Sequence, residues 1–315
     1  MKAVMVRQFG DPSVLRYEEI EAPLPGPGEV LIRVGAAGTN PVDAGNRADG
    51  SWAGVSLPWV PGYELAGVIE AVGPGTGPVG EGPVPGQRVL AMTGFPRQGG
   101  GYAEFAVVAA SHVVVLAGSV SFIDAAATPL AGGTAWQVLA RLRLQAGERL
   151  LVLGASGGAG SFLLQLAARR GIQVTAVGRR EHHQRMLRLG ASCCVDYTEG
   201  GAAASVAEGS VDAIADLVGG PGIRSWLAAV RPSGQLASIA EPELDLGQLV
   251  DENLTFHGVL WTPSGETARA LAGLVADGQL TASISHVLPL AEAAQAHRLL
   301  ETGHAGGKIV LSVGG

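Results

Sequence analysis

The chain has 315 residues, too many for one small core and suited to two domains, or to one domain inserted in another. Hydrophobic residues make up 47% and charged residues 16%, well under the usual charged share of about 25%, so the chain is globular rather than disordered. A net charge of −7 argues against a sequence-independent grip on nucleic acid, which needs surplus Lys and Arg, and no apolar run reaches the ~20 residues of a membrane span. The opening MKAVMVRQFG lacks the apolar core of a secretory signal, so the expectation is a cytoplasmic protein.

Over the first 115 or so residues, short β-rich runs alternate with Gly/Pro punctuation: KAVMV, GEVLIRVGAAG, ELAGVIEAVG, QRVLAM, YAEFAVV and HVVVL. Such a pattern predicts a small barrel or sandwich with long loops. Residues 74–86 read as loop. Near residue 120 the grammar changes: SFIDAAATPLAGGTAWQVLARL has apolar residues at helical spacing, with Ser121 and Asp124 placed as a capping box. Strands then alternate with helices, from ERLLVLG and SFLLQLAARRG through IQVTAVG, HQRMLRLG, CCVDY, VDAIADLVGG, IRSWLAAV, GQLASIA and NLTFHGVL. That alternation implies βαβ units and a parallel sheet. The last ~50 residues, with ETARALAGLVADG, ISHVLPL and KIVLSV, are strand-rich again and are expected to rejoin the first domain. The adjacent pair Cys193 and Cys194 cannot staple distant segments and lacks zinc-knuckle spacing, so two buried thiols in a strand are expected.

The most informative stretch is RLLVLGASGGAGSFLLQLAARRG. An apolar strand runs into Gly154–Gly160 and a helix follows at once, the context in which glycines let the backbone approach a pyrophosphate and helical N–H groups hold it. About 20 residues past such a loop, an NAD-binding chain usually places Asp or Glu on the ribose, whereas an NADP-binding chain offers arginine to the 2′-phosphate. Here IQVTAVG ends in Gly178-Arg179-Arg180 with no acid at the strand end. NADPH is therefore the expected cofactor, two solvated arginines opening a helix being the alternative.

At this point the layout resembles the zinc-independent quinone oxidoreductase branch of the medium-chain dehydrogenase/reductase superfamily over essentially the whole chain. The resemblance rests on AAGTNPVD, PGYELAGVIEAVGPG, GGGYAEFAVV, AAATPLAGGTAW, AGERLLVLGASGGAG, VDAIADLVGG and GGKIVL, in that order. It implies a GroES-like β-rich catalytic domain over 1–120 and 266–315, and a Rossmann doubly wound parallel-sheet domain binding NADPH over 121–265. In zinc-dependent relatives the turn reads Gly-His-Glu and a Cys precedes it. Tyr63 and Asn40 or its neighbours stand there in this chain, and the four-cysteine structural lobe is missing, so no metal is expected. Glu64 keeps its place with a structural role.

Without a Lewis acid, hydride transfer favours an acceptor that is already conjugated, because charge delocalises onto a distant oxygen. The reading is an NADPH-dependent oxidoreductase acting on a small-molecule quinone or the activated C=C bond of an α,β-unsaturated carbonyl. The alternative is an NADPH-binding sensor or structural protein with little turnover. By position, the resemblance implies cofactor contacts from Ser156, Gly157, Gly158 and Ala159, with Gly178, Arg179, Arg180 and Tyr197 around the adenosine phosphate. Ser238, Ile239, Ala240, Val259, Leu260 and Trp261 would lie by the nicotinamide, and Asn40 and Thr134 would close that pocket. Asn40 and Tyr63 are the catalytic candidates, Tyr63 either as proton donor or as a pocket wall. Some relatives carry a tyrosine where this chain has Gly50-Ser51-Trp52, so Trp52 is assigned to the substrate pocket. Asp43 reads as a turn or helix cap. The family commonly forms homodimers through edge strands of the nucleotide domains, and LTFHGVL at 254–260 has the alternation that role needs.

Overall fold

The computed structural model describes residues 1–50, 52–76 and 82–314. It divides into two compact units, Met1–Leu130 with Pro263–Gly315, and Ala131–Thr262. In chain order the first unit contributes β1 (Lys2–Val6), β2 (Leu15–Glu19), β3 (Glu29–Gly38), α1 (Pro41–Ala48), β4 (Glu64–Val72), β5 (Arg88–Met92), β6 (Phe105–Ala109), β7 (Val113–Val115) and α2 (Phe122–Ala126). α3 (Pro129–Leu142) leads into the second unit, with β8 (Arg149–Leu153), α4 (Gly158–Arg169), β9 (Gln173–Val177), α5 (His183–Arg188), β10 (Cys193–Val195), β11 (Val211–Asp216), β12 (Val230–Ser238), α6 (Leu246–Asp251) and β13 (Thr255–Gly258). The first unit resumes with α7 (Gly265–Ala276), β14 (Ile284–Pro289), α8 (Ala293–Glu301) and β15 (Lys308–Ser312).

The sheet of the first unit is organised by β3, buried along most of its length. It pairs antiparallel with β4, β6 and β15, and two register shifts against β4 bend it. The pairing with β15 is what brings the chain's last strand back beside its third. Val30, Ile32, Leu65, Ile69, Val89, Ile309 and Leu311 form the core around that junction.

In the second unit the strands run in the order β10-β9-β8-β11-β12-β13, all parallel. The order reverses between β8 and β11, and the carboxyl ends of strands at such a switch point are where open α/β sheets bind ligands. α4 buries Phe162, Leu163, Leu166 and Ala167. A separate cluster holds Leu151, Ile214, Trp226 and Leu236.

Several local expectations meet the structure differently. The predicted helix over 121–142 is two helices, because Pro129 has no N–H to donate and disfavours helical backbone at Thr128. The N-cap half of its capping box is present: the Ser121 hydroxyl accepts from the Asp124 backbone N–H at 3.0 Å and donates to Asp124 Oδ2. IRSWLAAV falls in a 3-10 helix, Pro221–Ala229. The thiols are a correction: Cys193 is exposed and Cys194 half-buried, since β10 ends the sheet and has a neighbour on one side only. Part of the loop read over 74–86 lies outside the described residues, as does Ser51.

Leu151 lies in the central strand of the nucleotide sheet with no exposure. Leu151→Ala is expected to destabilise the protein by about 2–5 kcal/mol, read as a lower urea midpoint.

Candidate active site and dinucleotide cradle

In the first unit the site grows from the junction of β3 with α1. Asn40 ends the strand in extended backbone and precedes Pro41, whose fixed φ suits the first helical position. Asp43, one turn into the helix, reaches back to accept the Asn40 N–H at 2.9 Å and the Gly62 N–H at 2.9 Å. It is thus both a helix cap and the anchor of the Pro-Gly turn before Tyr63. Burial pushes its carboxyl up to about 7, although those two backbone donors favour the charged form.

Tyr63 and Glu64 are neighbours at the start of β4 and project to opposite sides of the strand. The Glu64 carboxylate accepts from Asn40 Nδ2 at 2.9 Å, from the Leu130 N–H at 2.7 Å and from Lys308 Nζ at 2.5 Å. Lys308, at the start of β15, also donates to Asn40 Oδ1 at 2.7 Å and to the Thr39 carbonyl at 2.8 Å. All three ammonium protons are thereby used, and both partners of the ion pair are almost without solvent, 4% and 0% exposed. Gly38 makes room for it: a Cβ there would come within 2.4 Å of Glu64 Oε1 and of the Ala126 carbonyl. Sequence reasoning gave Glu64 a structural role without finding its cation, which lies 244 residues away.

On the other side of β4 the Tyr63 ring meets Phe95 edge-on at 5.3 Å and Trp59 at 6.2 Å. Its hydroxyl accepts from Asn46 Nδ2 at 2.6 Å and the side chain is 0% exposed. Burial and the Asp43 carboxylate push the phenol well above its ordinary range. The enclosure of this hydroxyl against Asn46 fits the pocket-wall alternative better than the proton-donor one. Trp52 packs on Phe95 at 6.4 Å and remains 55% exposed.

The second unit supplies the dinucleotide cradle. After β8 the chain turns at Gly154, and α4 begins at Gly158 with no side chain capping its first turn. The N–H groups of that turn point out of the helix end, where an anion is favoured. Gly160 decides how closely the helix can approach: a Cβ would fall 2.4 Å from the Gly154 carbonyl and 2.6 Å from that of Ala155. Ser156, Gly157, Gly158 and Ala159 thus belong to a loop whose shape fits a pyrophosphate.

At the end of β9, Gly178 is buried beside Met186, and Ser156 Oγ lies 3.5 Å from where its Cβ would be. The two arginines that follow are not equivalent. Arg179 Nε donates to the Tyr197 hydroxyl at 3.1 Å, whereas the Arg180 guanidinium pairs with Glu199 at the surface. The nearby acid, Asp196, is occupied by its own turn, accepting from the Thr198 N–H and hydroxyl and from the Arg180 N–H. Arg185, which sequence reasoning passed over, donates from Nη2 to the Ser156 carbonyl at 3.0 Å and so braces the phosphate loop from α5.

The remaining candidates of this unit fall into two groups. Ser238 donates to Asp216 Oδ2 at 2.9 Å, while Asp216 Oδ1 accepts from the N–H groups of Val218 and Gly219, locking the carboxyl ends of β11 and β12 beside Ile239 and Ala240. Val259 and Trp261 are buried and Leu260 is 53% exposed. Gln137, one turn beyond Thr134 on α3, clasps their segment with both ends of its amide, donating to the Leu260 carbonyl at 3.0 Å and accepting from the Thr262 N–H at 3.1 Å.

Among the described residues, no group of three or more His, Cys, Asp or Glu side chains is placed to hold a metal ion. Among the same residues, no helix is long and apolar enough to cross a membrane. Removing one partner of a buried ion pair leaves the other charge uncompensated, so Lys308→Met is expected to cost about 3–5 kcal/mol of stability in denaturant unfolding. Lys308→Met with Glu64→Gln should recover part of that loss.

Comparison with known proteins agrees with this construction. Residues 26–118 match the family described as alcohol dehydrogenase GroES-like domain, and residues 189–311 the family described as zinc-binding dehydrogenase. The quinone oxidoreductase of Lama guanicoe is 31% identical over 99% of this chain and 97% of its own length. A chloroplastic NADPH-dependent alkenal/one oxidoreductase of Arabidopsis thaliana is 30% identical, covering 99% of this chain and 79% of the relative. The structure of the quinone oxidoreductase from Coxiella burnetii superposes with a TM-score of 0.90 at 31% identity, over 100% of this chain and 99% of the other. A GroES-like β-rich unit, a dinucleotide-binding sheet with its glycine loop, and relatives matched from end to end make this chain a member of the medium-chain dehydrogenase/reductase superfamily, of the quinone oxidoreductase type.

Proposed function

We propose that this oxidoreductase uses NADPH to reduce a quinone or the activated C=C bond of an α,β-unsaturated carbonyl. The observation that carries the cofactor choice is Arg179. It stands at the end of β9 with its guanidinium steered by Tyr197, next to Gly178 rather than an acid, and Asp196 close by is engaged in its own turn. A 2′-phosphate would meet a cation there. Ser156 to Ala159 would hold the pyrophosphate, and Ser238 to Ala240 with Val259 to Trp261 would flank the nicotinamide. Bound NADPH supplies the hydride.

The chain's own residues favour an acceptor that needs no Lewis acid. Where zinc-dependent relatives carry a Cys and a His, this chain has Asn40 or its neighbours and Tyr63, and the Lys308 ammonium beside Asn40 has all three protons committed. None of these polarises a saturated ketone strongly. A conjugated acceptor spreads its developing charge and asks only for positioning and a hydrogen bond. Asn40 is suited to that task because its amide is fixed from both ends, Oδ1 by Lys308 and Nδ2 by Glu64, and one amide hydrogen is left for a ligand. Trp52, exposed on Phe95, offers the acceptor an apolar surface.

The same reading includes a homodimer. β13 ends the nucleotide sheet with Thr255 and Phe256 exposed, and Leu246 and Val250 stand out on the neighbouring α6. An uncovered strand of this character pairs readily with a second copy. Phe256→Asp is expected to halve the mass measured by light scattering; a wild-type monomer would contradict the dimer.

The function is tested by following NADPH and NADH oxidation with naphthoquinones, enones and saturated ketones. Turnover of the conjugated acceptors with NADPH is expected, and Arg179→Ala should weaken NADPH by about tenfold or more while leaving NADH unchanged. Activity confined to saturated ketones after zinc is added would overturn the reading, and tight NADPH binding without turnover would make this a binding protein.

A further inference from the structure

The end of β9 carries more positive charge than the arginine at its tip. Arg179 starts a 3-10 turn, Arg180–His182, which passes directly into α5. Arg179 caps that turn from extended backbone and Arg185 lies three residues beyond His182, and both guanidiniums act on the His182 imidazole, so the three side chains make one basic stripe. Its near end is tied to Tyr197 and its far end to the Ser156 carbonyl of the phosphate loop. His182 is the middle member, with its side chain 20% exposed and Nε2 lying 3.5 Å from Glu181 Oε1.

Four charged or titratable groups act on this imidazole. Burial is the main cause that disfavours its protonation, Arg185, Arg179 and His183 act in the same sense, and among these groups Glu181 alone favours it. His183 is itself engaged with the Gly178 carbonyl at 3.0 Å. With Glu181 largely in solvent, its attraction is screened. In the free protein at neutral pH the stripe therefore holds two permanent cations and a neutral imidazole between them. A phosphomonoester brings about −1.5 to −2 charges at pH 7, enough to reverse the balance at the middle position.

We propose that His182 is a proton-coupled contact for the 2′-phosphate of the cofactor, taking one proton from solvent when a phosphate-bearing adenosine binds between Arg179 and Arg185. The proposal rests on the NADPH reading and extends it: selection of the phosphate becomes sensitive to pH through a single side chain. The sign follows from linkage. The imidazole is harder to protonate in the free protein and easier in the complex, so the extra affinity is present at low pH and is lost as pH rises through the complex's value. The phosphate's own second ionisation, near pH 6, acts in the opposite sense, since a cationic site expels its remaining proton. Uptake on binding is therefore a mark of the histidine.

The experiment is titration calorimetry of the purified protein at about pH 7, in buffers of low and high ionisation enthalpy, with NADPH, NADH, 2′,5′-ADP and ADP. Uptake approaching one proton is expected for NADPH and 2′,5′-ADP and none for NADH and ADP. The NADPH dissociation constant should rise about three- to tenfold from about pH 6.5 to 8. His182→Gln should abolish the uptake and flatten that rise, and His183→Gln should leave both in place. Phosphate-selective binding with no uptake, or with uptake unchanged in His182→Gln, would overturn the role of His182 while leaving the NADPH reading intact. Equal affinity for NADPH and NADH would overturn both.

Discussion

A single ammonium organises the GroES-like unit. Lys308 enters from the last strand and its three protons go to Thr39, Asn40 and Glu64, which belong to the end of β3, the start of α1 and the start of β4. Buried almost completely with its partner, that charge constrains the arrangement of its acceptors. The orientation of Asn40 follows, because its amide is held between the ammonium and the carboxylate. So does the direction of β4, which must aim Glu64 inward and thereby sends Tyr63 to the opposite face, into the aromatic row of Trp59 and Phe95. Asp43 completes the junction by tying the helix start to the Gly62 turn.

The nucleotide unit solves a different problem, that of receiving charge rather than burying it. Its phosphate loop presents helical N–H groups with no side-chain cap, and Gly160 brings α4 against the turn. Around this neutral cradle the cations are graded. Arg185 braces the loop, Arg179 reaches out beside Tyr197, and Arg180 is drawn off to Glu199. Exposed ion pairs of the last kind contribute little to stability, and this one draws the Arg180 guanidinium to Glu199 while Arg179 stays with Tyr197. Asp216 performs a matching service at the far side of the switch point, where it fixes the ends of β11 and β12.

How far the sequence revealed all this depended on the distance over which each feature is encoded. The phosphate loop was legible because strand, turn and helix lie within one continuous stretch and each glycine has a local steric reason. The Ser121 cap and the Asp43 cap were legible for the same reason, being relations between residues three apart. The break at Pro129 could have been read from the proline itself. By contrast, the clasp of Gln137 on residues 260 and 262 and the pairing of Lys308 with Glu64 join positions more than a hundred residues apart. Period and spacing carry no information about such partners. The exposure of Cys193 likewise depends on β10 being the outermost strand of its sheet, a matter of topology.

What the sequence by itself determined is therefore the kind of protein: two units of contrasting strand and helix grammar, a dinucleotide loop in its proper context, an arginine where an acid would otherwise stand, and motifs that place the chain in its superfamily. Tertiary structure alone decided which side chains act together. It enclosed Tyr63 among Trp59, Phe95 and Asn46, gave Glu64 its cation, separated Arg179 from Arg180 and set Arg185 against the Ser156 carbonyl. The physical reason is that local conformation follows from neighbouring residues through sterics and backbone hydrogen bonds, whereas the partner of a buried charge is set by whichever strand the folded sheet brings beside it.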